Sequence, residues 1–428
     1  MISAAIRLFG TTIGTAAWDT ERACGVFRYE PAFLDSEIEV SPFQMPLAPR
    51  TYSFPHLNET SFKGLPGMLA DALPDKFGNL LIDQWLARQN RLPASFNPIE
   101  RLCYLGSRAM GALEFVPSSF PDQPPHPLEI DALVELANSA LGSRSDLETT
   151  LTPDHQENAL ADILRVGTSA GGARAKAVIA WNPETGAIRS GQVPLDPSFQ
   201  PWLIKFDGVS GNVDKELADP KGYGRIEYAY HLVARAAEIE MSDCHLLEEN
   251  GRAHFMTRRF DRTPDGGKLH LQSLCALGHY DFNQAGGYSY EQAFDLARRL
   301  GLQAPTLEEL YRRAVFNILM RNQDDHTKNI SFMMDRSGTW QLAPAYDLTY
   351  SYNPSGAWTS THQMTLAGKR DHFTESDLLA AAATAAIKTR RAKAILSEVR
   401  QAQNKWPVHA NTAGVPENII TAISKTFR

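Results

Sequence analysis

Apolar residues change their spacing several times along the chain, and each change marks an element. Up to about residue 30, short runs of β-branched and aromatic residues are broken by Gly10, Gly14 and Gly25, which predicts strands joined by turns. From Asp75 to Asn90 the spacing becomes helical, with Leu80, Leu81, Trp85 and Leu86 on one stripe. Ser118 to Leu128 holds four prolines in eleven residues, and a residue type that fixes φ and lacks an N–H predicts a linker there. Helical spacing resumes from Glu129 to Leu141, with Ile130, Leu133, Val134 and Leu141 on one face.

Beyond Gln156 the order of elements is informative. A helix predicted from Gln156 to Leu164 precedes a glycine-rich turn, Gly167 to Gly172, and a strand from Ala177 to Trp181. A turn over Asn182 to Gly186 leads to an extended segment, Pro201 to Asp207, and then to a helix from about Arg225 to Glu238. Later, Leu307, Leu310, Tyr311, Ala314, Val315 and Ile318 form one apolar face, and Thr306 with Glu309 predicts a capping box at its start. That helix delivers the chain to Arg321-Asn-Gln-Asp-Asp-His-Thr-Lys-Asn329. Ile330 to Met334 and Thr339 to Leu342 then read as a hairpin ending at Asp347.

A length of 428 residues exceeds one core, and three domains are predicted: 1–122, 123–256 and 257–428. Hydrophobic residues at 43% and charged residues at 21% exclude disorder or a fibrous architecture. The net charge of −7 argues against a basic nucleic-acid coat, although residues 388–428 carry a local balance of +6. Cys24, Cys103, Cys244 and Cys275 stand singly, so neither a zinc ribbon nor a disulfide framework is expected and a reducing cytoplasm fits. The first residues do not read as a signal peptide. The longest apolar run, Leu378 to Ile387, is about half of what a membrane span needs, so a soluble cytoplasmic protein is expected.

Phosphoryl transfer needs a phosphate cradle, a fixed cation, a base beside the acceptor hydroxyl, and metal ligands. Gly171-Gly172 offers a cradle, because backbone N–H groups can approach anionic oxygens there, although such a pair also serves in ordinary loops. Lys205 lies in an otherwise apolar strand, and Glu227 on the following helix is a candidate partner; the plain alternative is a surface lysine on an edge strand. Asp324-x-x-x-x-Asn329 has the separation of the catalytic-loop Asp and Asn of kinases, and Asp347 follows where a metal-binding Asp is expected. Asp324 is then the candidate base, Asn329 and Asp347 the candidate Mg²⁺ ligands, and Lys328 a candidate for neutralising the transferred group. Two rivals are weaker. Gly167-Thr-Ser-Ala-Gly171 matches a hydrolase nucleophile elbow but lies between a helix and a strand, in the wrong order, and Ala173 stands where a Walker A loop needs Lys.

At these residues the sequence resembles the HipA family, serine/threonine kinase toxins of bacterial toxin–antitoxin pairs. Ser41 to Leu47, Gly64 to Gly67, Leu73 to Gly78 and Met110 to Phe115 are similar to the family's N-terminal domain. Gly171 to Lys176, Arg259 to Arg262, Asn322 to Asn329 and Leu342 to Asp347 are similar to its kinase core. The resemblance implies an α+β, two-lobed protein-kinase-like fold with a β-rich N-terminal domain and a mainly helical C-terminal lobe. It implies ATP and Mg²⁺ as cofactors, with Lys205 on the phosphates, Arg258 and Phe260 in the hinge beside adenine, and Asp261 reaching the ribose. Ser169 resembles the serine on which family members autophosphorylate, and Thr168 is a second candidate acceptor. Adding about two negative charges to an anion-binding loop should expel it and silence the enzyme.

Family targets include aminoacyl-tRNA synthetases, but nothing in this sequence selects one. The implied partner is a HipB-like helix-turn-helix antitoxin, with operator DNA met only through that complex. The basic C-terminal segment could face that DNA, or be a solvated helix face. Asp325 departs from the small residue common in relatives, which implies altered substrate access. Two other functions stay open: a small-molecule kinase of the same fold, and a non-catalytic scaffold for antitoxin and DNA.

Overall fold

Alternating burial along the first strands builds a five-stranded sheet. β1 (Ser3–Leu8), β2 (Thr11–Asp19), β3 (Cys24–Tyr29), β4 (Thr51–Ser53) and β5 (Leu113–Val116) pair antiparallel in the order β4-β3-β2-β1-β5. Ala4, Ile6 and Leu8 point inward from β1 while their neighbours do not, the two-residue period of a half-buried strand. On β2, Gly14 has no substitute: a Cβ there would lie 2.4 Å from the Arg28 carbonyl oxygen and 2.6 Å from the Phe27 ring.

The computed structural model describes residues 2–119, 128–141, 167, 174–191, 196–209, 213–214, 217–218 and 221–428. The expected helix over 156–164 and the expected site residues Thr168, Ser169, Gly171 and Gly172 lie outside the described residues.

A second sheet contains β6 (Lys176–Trp181), β7 (Ile188–Ser190) and β8 (Gln200–Lys205), with β6 between the other two. It continues from β8 through the strand Arg252–Arg258. β6 is buried along almost its whole length. Its Ala177 and Ile179, with Trp202, Ile204 and Phe206 from β8 and beyond, form one core with Phe77 and Leu81 of the helix Lys76–Arg88 and with Ile130, Leu133 and Val134 of the helix Ile130–Leu141.

Compact units divide the chain differently from the expected domains. The chain forms two compact units, Met1–Lys221 with Leu247–Leu271, and Gly222–Leu246 with Gln272–Arg428. The predicted boundary at residue 122 does not separate compact units, because helices on either side of the proline-rich stretch bury their apolar faces against the same strands. The expected boundary at 256 likewise falls inside the segment Leu247–Leu271 of the first unit. The helix Tyr223–Ala236 belongs to the second unit, where buried Tyr230 meets Phe316 and Trp406 edge-on and donates its hydroxyl to the Met320 carbonyl at 2.5 Å.

The second unit is mainly helical and centres on Ala304–Leu319, whose residues are buried almost continuously from Leu307 onward. The capping box expected at Thr306 and Glu309 is not formed. The helix begins at Ala304 with Pro305 in its first turn, where a missing N–H costs nothing, so Thr306 is already inside. Glu309 instead accepts from Arg313 Nε at 2.7 Å and from the Glu240 N–H at 3.1 Å. Capping boxes form at Asn97/Glu100, Ser289/Gln292 and Thr374/Asp377. After the central helix come the segment Arg321–Asn329 and the expected hairpin, Ser331–Met334 paired with Trp340–Leu342. No described helix is long and apolar enough to cross a membrane.

Candidate active site

The segment leaving the central helix alternates in burial. Gln323, Asp325 and Thr327 are buried, whereas Asp324, His326 and Lys328 are only half-buried. Adjacent acids therefore leave the backbone in opposite directions. Asp324 Oδ1 accepts from the Trp358 indole N–H at 2.6 Å, and its backbone carbonyl accepts from the Asn329 side-chain amide at 2.9 Å. Lys328 rests with its ammonium 4.7 Å from the centre of the Phe282 ring.

Asp325 corrects an expectation. Only 3% exposed, it cannot bear on substrate access by facing a substrate. Its Oδ2 accepts from the Tyr290 hydroxyl at 2.7 Å and lies 2.8 Å from His362 Nδ1, and its Oδ1 accepts from the Gln363 N–H at 2.8 Å. Burial and the neighbouring Asp325 charge push the Tyr290 phenol well above its ordinary range, so it stays a donor. The bonds continue outward. Asn317 donates to the Tyr290 oxygen at 3.0 Å, and Asn322 donates to Asn317 Oδ1 at 2.9 Å and to the Asp347 carbonyl at 3.2 Å.

That last bond couples Asp347 to the loop. Asp347 has a left-handed backbone, φ 52°, an uncommon conformation for a residue with a Cβ and one that re-aims the side chain. Asn322 thus joins the loop of Asp324 and Asn329 to Asp347 through one buried amide. The donor chemistry fits Mg²⁺. The Asn329 amide nitrogen is turned to the Asp324 carbonyl, which leaves its Oδ1 as the atom that would meet a cation, and the Asp347 carboxylate would be a second hard oxygen. Among the described residues no group of three or more His, Cys, Asp or Glu could hold a metal ion.

Glu227 is buried in this second unit, on the helix Tyr223–Ala236, whereas Lys205 ends β8 in the first. Lys205 is half-buried, its ammonium 5.7 Å from the Phe255 ring centre, and its register partner on β6 is Lys176. Lys176 is 2% exposed and lies 3.4 Å from Asp75 Oδ2. Asp75 also caps the helix Lys76–Arg88 through the Gly78 N–H at 2.6 Å. Arg258 ends its strand and Phe260 follows half-buried.

Asp261 is a second correction. It was expected at a ribose, but it is fully buried, with its oxygens accepting from Arg259, Arg262 and the Gly111 N–H at 2.7–2.9 Å. The basic C-terminal segment is partly neutralised within the second unit, where Arg391 meets Glu308 and Glu398, Arg400 meets Glu375, and Arg428 meets Asp371.

Comparison with known proteins follows the same lines. Residues 4–116 match the HipA N-terminal domain, and residues 168–406 match the HipA-like C-terminal domain. A Sinorhizobium fredii protein named "Putative kinase Y4mE" is 27% identical over 357 residues, covering 79% of this chain and 75% of that protein. A second from the same strain, "Putative kinase Y4dM", is 27% identical over 181 residues, covering 36% and 39% respectively. Among solved structures, HipA of Shewanella oneidensis MR-1, in a toxin–antitoxin complex with HipB and operator DNA, superposes with a TM-score of 0.70 at 18% identity. It covers 99% of this chain and 95% of its own, a likeness of fold that supports the expected HipA-like α+β architecture. With one domain match spanning more than half of the residues and another most of the first 116, the chain belongs to the HipA family.

Proposed function

We propose that this chain is the kinase toxin of a bacterial toxin–antitoxin pair, transferring the γ-phosphoryl group of ATP to a serine or threonine hydroxyl of a cellular protein. The observation that supports the reading is the joining of the Asp324–Asn329 loop to Asp347 through Asn322, which holds these three residues in one unit. Asp324 takes the proton of the acceptor hydroxyl as the new O–P bond forms. Asn329 and Asp347 would hold Mg²⁺, which when bound neutralises charge on the phosphates. Lys205, Glu227 and the Gly171-Gly172 turn serve the nucleotide, with Arg258 and Phe260 beside its base, and Lys328 brings positive charge to the transferred group. Ser169, with Thr168 beside it, is the autophosphorylation site. Family membership and the HipB complex of the Shewanella relative support a helix-turn-helix antitoxin as partner, with operator DNA reached through it.

Intact-mass spectrometry after incubation with Mg-ATP tests the reading. Dephosphorylated wild type should gain one phosphate that maps to Ser169, while Asp324→Asn and Ser169→Ala should gain none. Unphosphorylated wild type that gains nothing and does not bind ATP would reject the kinase and leave the scaffold.

A further inference from the structure

The two adjacent acids of the catalytic loop hold opposite ends of one short segment. Its far end is fastened by Asp325, through the Gln363 N–H and the His362 ring. The Gln363 side chain then closes the segment on itself, donating to the Gln323 carbonyl at 3.2 Å and to the Trp358 carbonyl. At the near end, the Trp358 indole N–H donates to Asp324 Oδ1 at 2.6 Å. A carboxylate acceptor makes this a charge-assisted bond, about twice as strong as a neutral one. His362 and Gln363 are 0% and 3% exposed, so the anchored end is buried while the indole end is not.

We propose that residues 358–363 form a bracket, fastened by Asp325, whose Trp358 indole sets the carboxylate plane of Asp324 and so positions the base toward the acceptor hydroxyl. This rests on the kinase reading of Asp324. The rotation of an aspartate carboxylate about its terminal bond is broad and roughly two-fold, so a donor fixed on Oδ1 decides where Oδ2 points. Asp324 keeps 25% of its side-chain exposure, as a group that must meet a substrate requires. His326 Nε2 is 4.0 Å from Oδ2, beyond hydrogen-bond reach, and the Asn329 amide bonds the backbone carbonyl. Trp358 is thus a positioning residue, and Asp325 acts one step behind it.

The test pairs a spectroscopic readout with kinetics on the full chain. With ¹⁵N-labelled indoles, the seven tryptophans give seven N–H resonances, and Trp358→Phe identifies the one in question. That resonance should lie downfield and move upfield in both Asp324→Asn and Asp325→Asn. In phosphoryl transfer, Trp358→Phe should lower kcat by about 10- to 100-fold with the ATP KM within about twofold, the loss expected for a misaimed base. Benzothienylalanine at position 358 keeps the ring shape without the N–H and should lose as much, which separates the hydrogen bond from packing. A resonance indifferent to Asp324→Asn overturns the bracket whatever the enzyme does. A normal kcat in the benzothienylalanine protein overturns the positioning role while leaving the kinase intact. Absence of transfer in wild type, with the resonance behaving as expected, overturns the kinase reading and with it any role in catalysis.

Discussion

Asp261 is the acid whose removal should be felt most widely in the first unit. Its carboxylate receives Arg259 Nε at 2.9 Å and Nη2 at 2.7 Å, Arg262 Nη1 at 2.9 Å and the Gly111 N–H at 2.7 Å. Gly111 has φ +78°, and a Cβ there would lie 3.0 Å from the Leu271 nitrogen, so the contact requires glycine. Burial pushes the Asp261 carboxyl up, but the two guanidiniums and the N–H donors outweigh it and hold it well below the usual carboxylate range. A carboxylate with its folded pKa depressed contributes stability that is fully present above its unfolded pKa of about 3.9 and is lost as pH falls through the folded value.

Asp261→Asn keeps the shape and one acceptor for Gly111, yet leaves buried Arg259 without its counter-charge and half-buried Arg262 with only Glu114 as a nearby acid among the described residues, a change that costs about 3–5 kcal/mol. Hydrogen exchange should show this as roughly two decades or more of lost protection over residues 107–116 and 258–271, with a lower melting temperature. Because the carboxylate faces inward, ATP affinity should fall no further than the folded fraction does. An Asp261→Asn protein with wild-type exchange and melting but weakened ATP binding would place this carboxylate at the nucleotide and refute the reasoning.

Three further outcomes are expected. Burial pulls His231, His254 and His270 down to about 4, so the folded chain resists protons that the unfolded chain accepts below about 6.5; urea denaturation at stepped pH should show stability falling from about pH 6.5 towards 4, less steeply in His254→Gln, and a flat profile would count against it. Ser289→Ala should cost about 1 kcal/mol through its lost cap, while Thr306→Ala, inside its helix, should cost under about 0.5 kcal/mol; equal losses in thermal unfolding would restore the cap predicted at Thr306. Mg-ATP at about 100 times its Kd should stabilise the chain by about 2.7 kcal/mol, and chelation of Mg²⁺ or Asp347→Asn should remove most of that gain; a gain indifferent to both would move the metal away from Asp347.

Local signals carried far into the fold, and long-range ones did not. The spacing from Asp324 to Asn329, the hairpin to Asp347, and the strands holding Lys176 and Lys205 are written within a few residues of one another, and the structure forms those elements. The proline-rich stretch reads as a linker, but a linker in the chain is not a break in the core, and Phe77 and Val134 on either side of it belong to one buried cluster. The cap misread at Thr306 has the same origin, since a capping pair means something only at a helix start, and Pro305 had already begun the helix. Asp261 receives one of its N–H donors from a residue 150 positions away, and no local window contains that information.

The paired acids show a subtler limit. Gln323, Asp325 and Thr327 are buried and Asp324, His326 and Lys328 half-buried, within a tight segment where the His326 N–H donates to the Asp324 carbonyl at 2.9 Å and Thr327–Asn329 form a 3-10 turn. Hydropathy cannot detect the difference, because both sets are polar. Two of the buried side chains are satisfied by distant partners: Asp325 by Tyr290, His362 and Gln363, and Thr327 by the Tyr280 carbonyl at 2.8 Å. A buried polar group that finds such partners avoids a cost of a few kcal/mol, so Asp325 is held by folding while half-buried Asp324 keeps exposure for chemistry. Identical in type and adjacent in sequence, Asp324 and Asp325 should therefore fail differently: without the first, the chain folds and does not transfer phosphate; without the second, the bracket that aims the first comes loose.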